Sequence, residues 1–194
     1  MRLNSLYKFY QGYFNYTSDR SKTQKMVYAF AIRDTATVLR EVYAYQNYSP
    51  LYQYFNRDKK SQIAVKFLKN IKLLAEKRYK NPLEHYKFFD SIITIDGSYL
   101  STNKKEIIIP CPYICDENNK EEIIILTFGS PININNEIAV LKGLVTEFNM
   151  DKPFSVDMSF VTYWNLSIPG ETTVDYRNIR TASRASLIET LNKF

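Results

Sequence analysis

Apolar residues recur at helical spacing from the start of the chain. Leu3, Leu6, Tyr7, Tyr10 and Phe14 predict a first helix that Gly12 shortens or kinks, and Ser18 or Asp19 supplies a cap for the next helix. Over residues 21–46, Met26, Phe30, Ile32, Val38, Leu39 and Val42 lead a largely apolar pattern that predicts one long helix. The run Asn47-Tyr48-Ser49-Pro50 ends it, because a proline disfavours helical backbone at the residue before it and has no N–H to continue the ladder. Residues 51–55 read as an aromatic link. Asp58 or Ser61 then opens a second strong helix to about Tyr79, with Ile63, Ala64, Phe67, Leu68, Ile71 and Leu74 as its buried stripe, and Asn81-Pro82 closes it.

Beyond Pro82 the period changes from helical to extended. Residues 90–95 and 106–113 predict two strands, with Asp96-Gly97 as a hairpin signal and Pro110 and Pro112 marking an edge or a distorted end. A turn over residues 116–120 leads into residues 121–128, whose unbroken Ile123-Ile124-Ile125-Leu126 centre suits a strand covered on both faces. After Gly129-Ser130-Pro131, Asn135 or Asn136 caps a helix to about Phe148, with Ile138, Leu141, Leu144, Val145 and Phe148 in its stripe. A strand over 154–166, broken or bent somewhere, a short strand over 172–176 and a helix over 181–191 complete the order. That order predicts an α/β fold in one domain, residues 1–194, with a helical layer (1–80) packed on a mixed sheet from residues 81–194 arranged as a βββαββ core.

Composition narrows the chemistry. A chain of 194 residues that is 45% hydrophobic encloses a core without metals or staples, and its two cysteines, Cys111 and Cys115, are too few for a disulfide framework or a structural zinc site. His85 is the only histidine, which excludes a histidine pair and an HExxH helix. No apolar run approaches the length of a membrane span, and the N-terminus lacks the pattern of a signal peptide, so the expected location is cytoplasmic, with no membrane partner. No glycine-rich phosphate loop or serine-nucleophile elbow is present, and no cofactor, metal ligand or catalytic residue is assigned.

The charge is unevenly divided. Residues 1–80 hold 16 Lys and Arg against 5 Asp and Glu, a net +11, whereas residues 81–194 hold 10 against 15, a net −5. Arg57, Lys59, Lys60, Lys66, Lys69, Lys72, Lys77, Arg78 and Lys80 gather on or beside the second strong helix and are the candidate nucleic-acid-binding residues. Such a surface attracts a phosphate backbone or an acidic protein, alone or within a larger nucleoprotein assembly; it also serves to neutralise the chain's own acidic part. Tyrosines such as Tyr43, Tyr45, Tyr48, Tyr52 and Tyr54, interleaved with Arg40 and Arg57, suit base stacking, core packing or a protein interface alike. The expectation is therefore a noncatalytic nucleic-acid-binding or assembly subunit, with a structural or regulatory protein-interaction module as the alternative. A third reading is a divergent Mg²⁺-dependent nuclease using Asp90, Glu106, Asp116 or Glu121, with Asp96 and Glu122 also near the extended core.

The stretch IIIPCPYICDENNKEEIIILTFGSP, set behind an N-terminal helical segment and ahead of a helix and further strands, resembles the central hairpin of the PD-(D/E)XK nuclease superfamily, especially its Cas4-like and RecB-like members. The resemblance covers residues 84–165 and rests on element order. It implies a restriction-endonuclease-like sheet. The acidic residue of that pattern would fall near Pro112 to Ile114, and the later acid and lysine near Ile125 and Thr127, with Glu41 or Glu84 as the upstream glutamate; the motif letters are not retained, which implies a catalytically eroded relative.

Overall fold

The computed structural model describes residues 22–96, 106–116, 122–127 and 160–191, together with residues 135, 138, 139, 142, 143 and 146. The predicted helix over 3–14, the Asp96-Gly97 turn beyond Asp96 and the strand residues 154–159 lie outside the described residues. Helix α1 runs Lys22–Ala44, and Gln46, with a φ of 49°, takes the left-handed conformation that closes its end.

Pro50 does more than stop a helix. It sits in the first turn of a second one, α2, Ser49–Phe55, so the expected aromatic link over residues 51–55 is helical. A proline is accepted there because first-turn N–H groups have no intrahelical partner in any case. Pro82 repeats the device in the one-turn helix α4, Pro82–His85. Between them α3, Gln62–Arg78, begins at Ser61, whose hydroxyl accepts from Ala64 N at 3.2 Å.

The sheet comprises β1 Tyr86–Asp96, β2 Glu106–Asp116, β3 Glu122–Thr127, β4 Phe160–Asn165 and β5 Gly170–Asp175, in spatial order β1-β2-β3-β4-β5. All neighbours are antiparallel except β3 and β4, which run parallel. Parallel neighbours need a crossover, and the helical positions Asn135, Ile138, Ala139, Lys142, Gly143 and Thr146 lie on it. A 3₁₀ turn, Tyr176–Asn178, and helix α5, Arg184–Leu191, close the described chain.

The β1–β2 ladder is unbroken over eleven residues, yet β3 joins β2 only at Tyr113, Ile114 and Cys115. Pro110 and Pro112 account for the difference. Having no N–H, they fit an unbroken ladder only where their nitrogens point away from β1, which removes donors from the side that β3 would use. Pairing with β3 starts immediately after Pro112.

Helices and sheet share one core. Leu39 and Val42 of α1, Leu51 and Tyr54 of α2, and Phe67, Leu68 and Ile71 of α3 pack in the same cluster as Ile114, Ile124, Leu126 and Trp164 of the sheet. The alternate residues Ile123, Ile125, Val161 and Tyr163 are buried as well, so the centre of the sheet is covered on both faces. The protein is thus an N-terminal helical layer on a mixed five-stranded sheet.

Candidate functional site

The spacing of α3 sorts its charges. At 3.6 residues per turn, Gln62, Lys66, Lys69, Leu73 and Lys77 fall within about 80° of the helix circumference, and Lys66 to Lys77 spans about 16 Å along the axis. All five are exposed, Leu73 by 55%. Lys66 and Lys77 have no acidic partner among the described residues. The signal for this stripe is in the sequence as the 3- and 4-residue steps between these positions, and it includes Leu73, which a search for basic residues passes over.

Beside and behind the stripe α3 is tied to the sheet, by Asn70 about 20° round the helix from Lys77 and by Arg78 about 140° from the middle of the stripe. Asn70 Nδ2 donates to the Leu166 carbonyl at 2.9 Å. Arg78 Nη2 donates to Glu122 Oε1 at 3.1 Å, and its Nε lies 3.8 Å from Glu171 Oε2. The start of α3 is positioned by Tyr54, which is 3% exposed: its hydroxyl donates to Asp34 Oδ2 of α1 at 2.9 Å and accepts from Ser61 N at 3.1 Å. Three helices therefore meet at one phenol, and the direction in which the lysine stripe faces is set by these anchors.

The nine basic residues picked out by sequence divide accordingly. Lys66, Lys69 and Lys77 share the outward stripe; Arg57, Lys59 and Lys80 are exposed on the segments flanking α3. Lys60 turns inward and donates to the carbonyls of Phe55 and Arg57, closing the end of α2. Lys72 pairs with Glu76 one turn on and lies 5.0 Å from the centre of the Tyr48 ring. Arg78 is committed to Glu122 and Glu171.

Helix α2 borders the stripe. Lys69 Nζ stands 5.7 Å from the centre of the Phe55 ring, and Tyr52 meets Phe55 edge-on with centroids 6.3 Å apart. Burial pushes the Tyr48 hydroxyl up to about 12, helped by the negative charge of Glu76 and by Tyr52.

The carboxylates are spread along the sheet. Asp96 pairs with Glu106 at one end of the β1–β2 ladder and Asp116 with Tyr86 at the other, ten residues or about 33 Å away. Asp90, opposite Pro112, lies between them. Asp116 and Glu122 are brought to adjoining places, one step past the Cys115–Ile123 pair. Glu122 is already engaged: besides Arg78 it accepts from the Thr162 hydroxyl, which contacts Thr173 Oγ1 at 2.7 Å. Among the described residues no three His, Cys, Asp or Glu side chains converge. His85 stacks on Tyr79 at 4.6 Å.

No helix of the described residues is long and apolar enough to cross a membrane. Comparison of the chain with family models, with curated proteins and with solved structures finds no match in any of the three.

Proposed function

We propose that this protein is a noncatalytic nucleic-acid-binding or nucleoprotein-assembly subunit of the cytoplasm, contacting phosphates through α3. The observation that carries the reading is the outward stripe of Lys66, Lys69 and Lys77 on a helix tied to the sheet through Asn70 and Arg78, within residues 1–80, which carry a net charge of +11. Ammonium groups held on a rigid element release counterions when they meet phosphates, so affinity falls steeply with salt while base preference stays weak. The element order β1-β2-β3, helix, β4-β5 supports reading the chain as a relative of the PD-(D/E)XK nucleases without their catalytic letters. The separation of Asp90, Glu106 and Asp116 along the ladder favours binding over metal-dependent cleavage.

A salt-titrated mobility shift with labelled oligonucleotides tests this directly. Lys66→Glu/Lys69→Glu is expected to lower both the affinity and the slope of log K against log salt, by about one unit of slope per lost phosphate contact, while Arg180→Glu on the C-terminal part leaves both unchanged. No binding by the wild type at about 50 mM salt, or equal loss in the Arg180 control, would overturn it. Leu73, exposed between Lys69 and Lys77, favours the second reading, an interaction module for an acidic protein. Under that reading the same charge reversal abolishes capture of a protein partner while the nucleic-acid shift is absent from the start.

A further inference from the structure

Tyr48, Tyr52 and Phe55 lie at positions i, i+4 and i+7, on one face of the α2 segment. The outer two rings are each met by a lysine of α3: Lys72 lies 5.0 Å from the Tyr48 centroid and Lys69 5.7 Å from that of Phe55. Tyr52, between them, is 51% exposed, and no described cation lies over its ring. The arrangement is a short aromatic row with the Lys72–Glu76 ion pair at its Tyr48 end, the exposed Lys69 at its Phe55 end and a solvent-exposed ring in the middle. A cation over a ring keeps its charge, and Lys69 is exposed, so it remains available to an anion.

We propose that the α2–α3 surface takes single-stranded nucleic acid, with a base stacked on Tyr52 and the phosphates beside it met by Lys69 and Lys66. This rests on the reading of α3 as a phosphate-binding helix and goes further by naming the strand state. Charge alone does not distinguish a duplex from a single strand. An exposed aromatic ring beside the lysines does, because a ring can stack only on a base that is free of its own stack. Any base offers such a face, so sequence preference remains weak.

The test is fluorescence anisotropy on the full chain, with a labelled single-stranded oligonucleotide of mixed sequence and the duplex made from it, each titrated at several salt concentrations. The wild type is expected to bind the single strand more tightly than the duplex. Tyr52→Ala is expected to weaken single-strand binding by about 5- to 100-fold, with the salt slope and the duplex affinity unchanged, and Tyr52→Phe to keep wild-type binding. The ring of Tyr52 is half in solvent, so neither variant threatens the core; a wild-type thermal transition verifies this. Equal affinity for the two forms, or single-strand binding indifferent to Tyr52→Ala, would overturn the inference and leave the phosphate-binding reading standing. Absence of binding to both forms would sink the two together.

Discussion

Arg78 Nη2 reaches Glu122 Oε1 at 3.1 Å, tying the last residue of α3 to the first residue of β3. The Thr162 hydroxyl also donates to that carboxylate oxygen, and Glu171 approaches the guanidinium from β5. A helix rich in lysine is thereby bolted to the acidic half of the chain at one end, with its free lysines turned the other way. Burial opposes the charge of Arg78, but its hydrogen bond to Glu122 wins and holds the guanidinium pKa above its ordinary value. Burial raises the pKa of the neighbouring Tyr86 phenol, and the charge of Arg78 beside it partly offsets that rise.

Removing one member of this pair leaves the other largely buried, with only the more distant Glu171 facing Arg78 or only the neutral Thr162 hydroxyl on Glu122. Arg78→Met is expected to destabilise the fold by about 1–3 kcal/mol, because Glu122 then loses its counter-charge while staying out of water. Arg78→Met/Glu122→Met is expected to cost less than the sum of the single changes. Urea midpoints of the four proteins give the coupling, and strictly additive losses would show that the pair is not acting as one unit.

Ile124 and Ile125 are 1% and 4% exposed and point to opposite faces of β3. Ile124→Asp and Ile125→Asp are both expected to cost several kcal/mol, since each puts an unpaired carboxylate into covered space. Ile124→Ala, which only removes packing beside Trp164 and Leu126, is expected to cost about 2–5 kcal/mol. A wild-type melting temperature in either aspartate variant would mean that one face of the strand is open to solvent.

That two-sided strand was legible because four consecutive apolar residues fit no half-exposed strand. The stripe of α3 was legible for the same kind of reason: Ala64, Phe67, Leu68, Ile71 and Leu74 are buried as their spacing predicts. The exposure of Phe30 on α1 was not, because an apolar letter at a helical step does not say which residues lie opposite it. Helix α2 was hidden by Pro50, whose meaning depends on whether it falls at the end of one helix or the beginning of the next. In the candidate site, the count of basic residues was plain, but Lys60 is turned inward by carbonyls three and five residues back, whereas Arg78 is turned inward by Glu122, 44 residues on in the sequence. No local pattern encodes that distance.

Gly143 on the crossover helix is buried where the chain packs closely. A Cβ there would stand 2.9 Å from the Ala182 carbonyl oxygen and 3.0 Å from Leu187 Cδ1, beside the hydrogen bond from Ala182 N to the Ala139 carbonyl at 3.0 Å. Gly143→Ala is expected to destabilise by about 1–3 kcal/mol through this overlap, in spite of the better helix propensity of alanine. Gly170→Ala is the control, since its Cβ would meet nothing nearer than the Ile168 carbonyl at 3.7 Å. Equal thermal shifts in the two variants would show that the α5 side of the protein yields more readily than its packing indicates.

The last expectation concerns alkaline pH. Burial raises the Tyr176 hydroxyl from 10.0 to about 12, and the ring lies 4.6 Å from Lys142 Nζ. A phenol with a raised folded pKa keeps its proton in the native protein at pH values where the unfolded chain has lost it. Its contribution to stability is therefore complete below pH 10, falls as pH rises toward 12, and does not recover above that. Tyr176→Phe keeps the ring under Lys142 and removes the titrating group. The difference in unfolding free energy between wild type and variant is expected to stay constant up to about pH 9 and then to shift in favour of the variant. Urea unfolding of both proteins at stepped pH measures it, and parallel pH profiles through that range would show that Tyr176 ionises alike in the folded and unfolded chains.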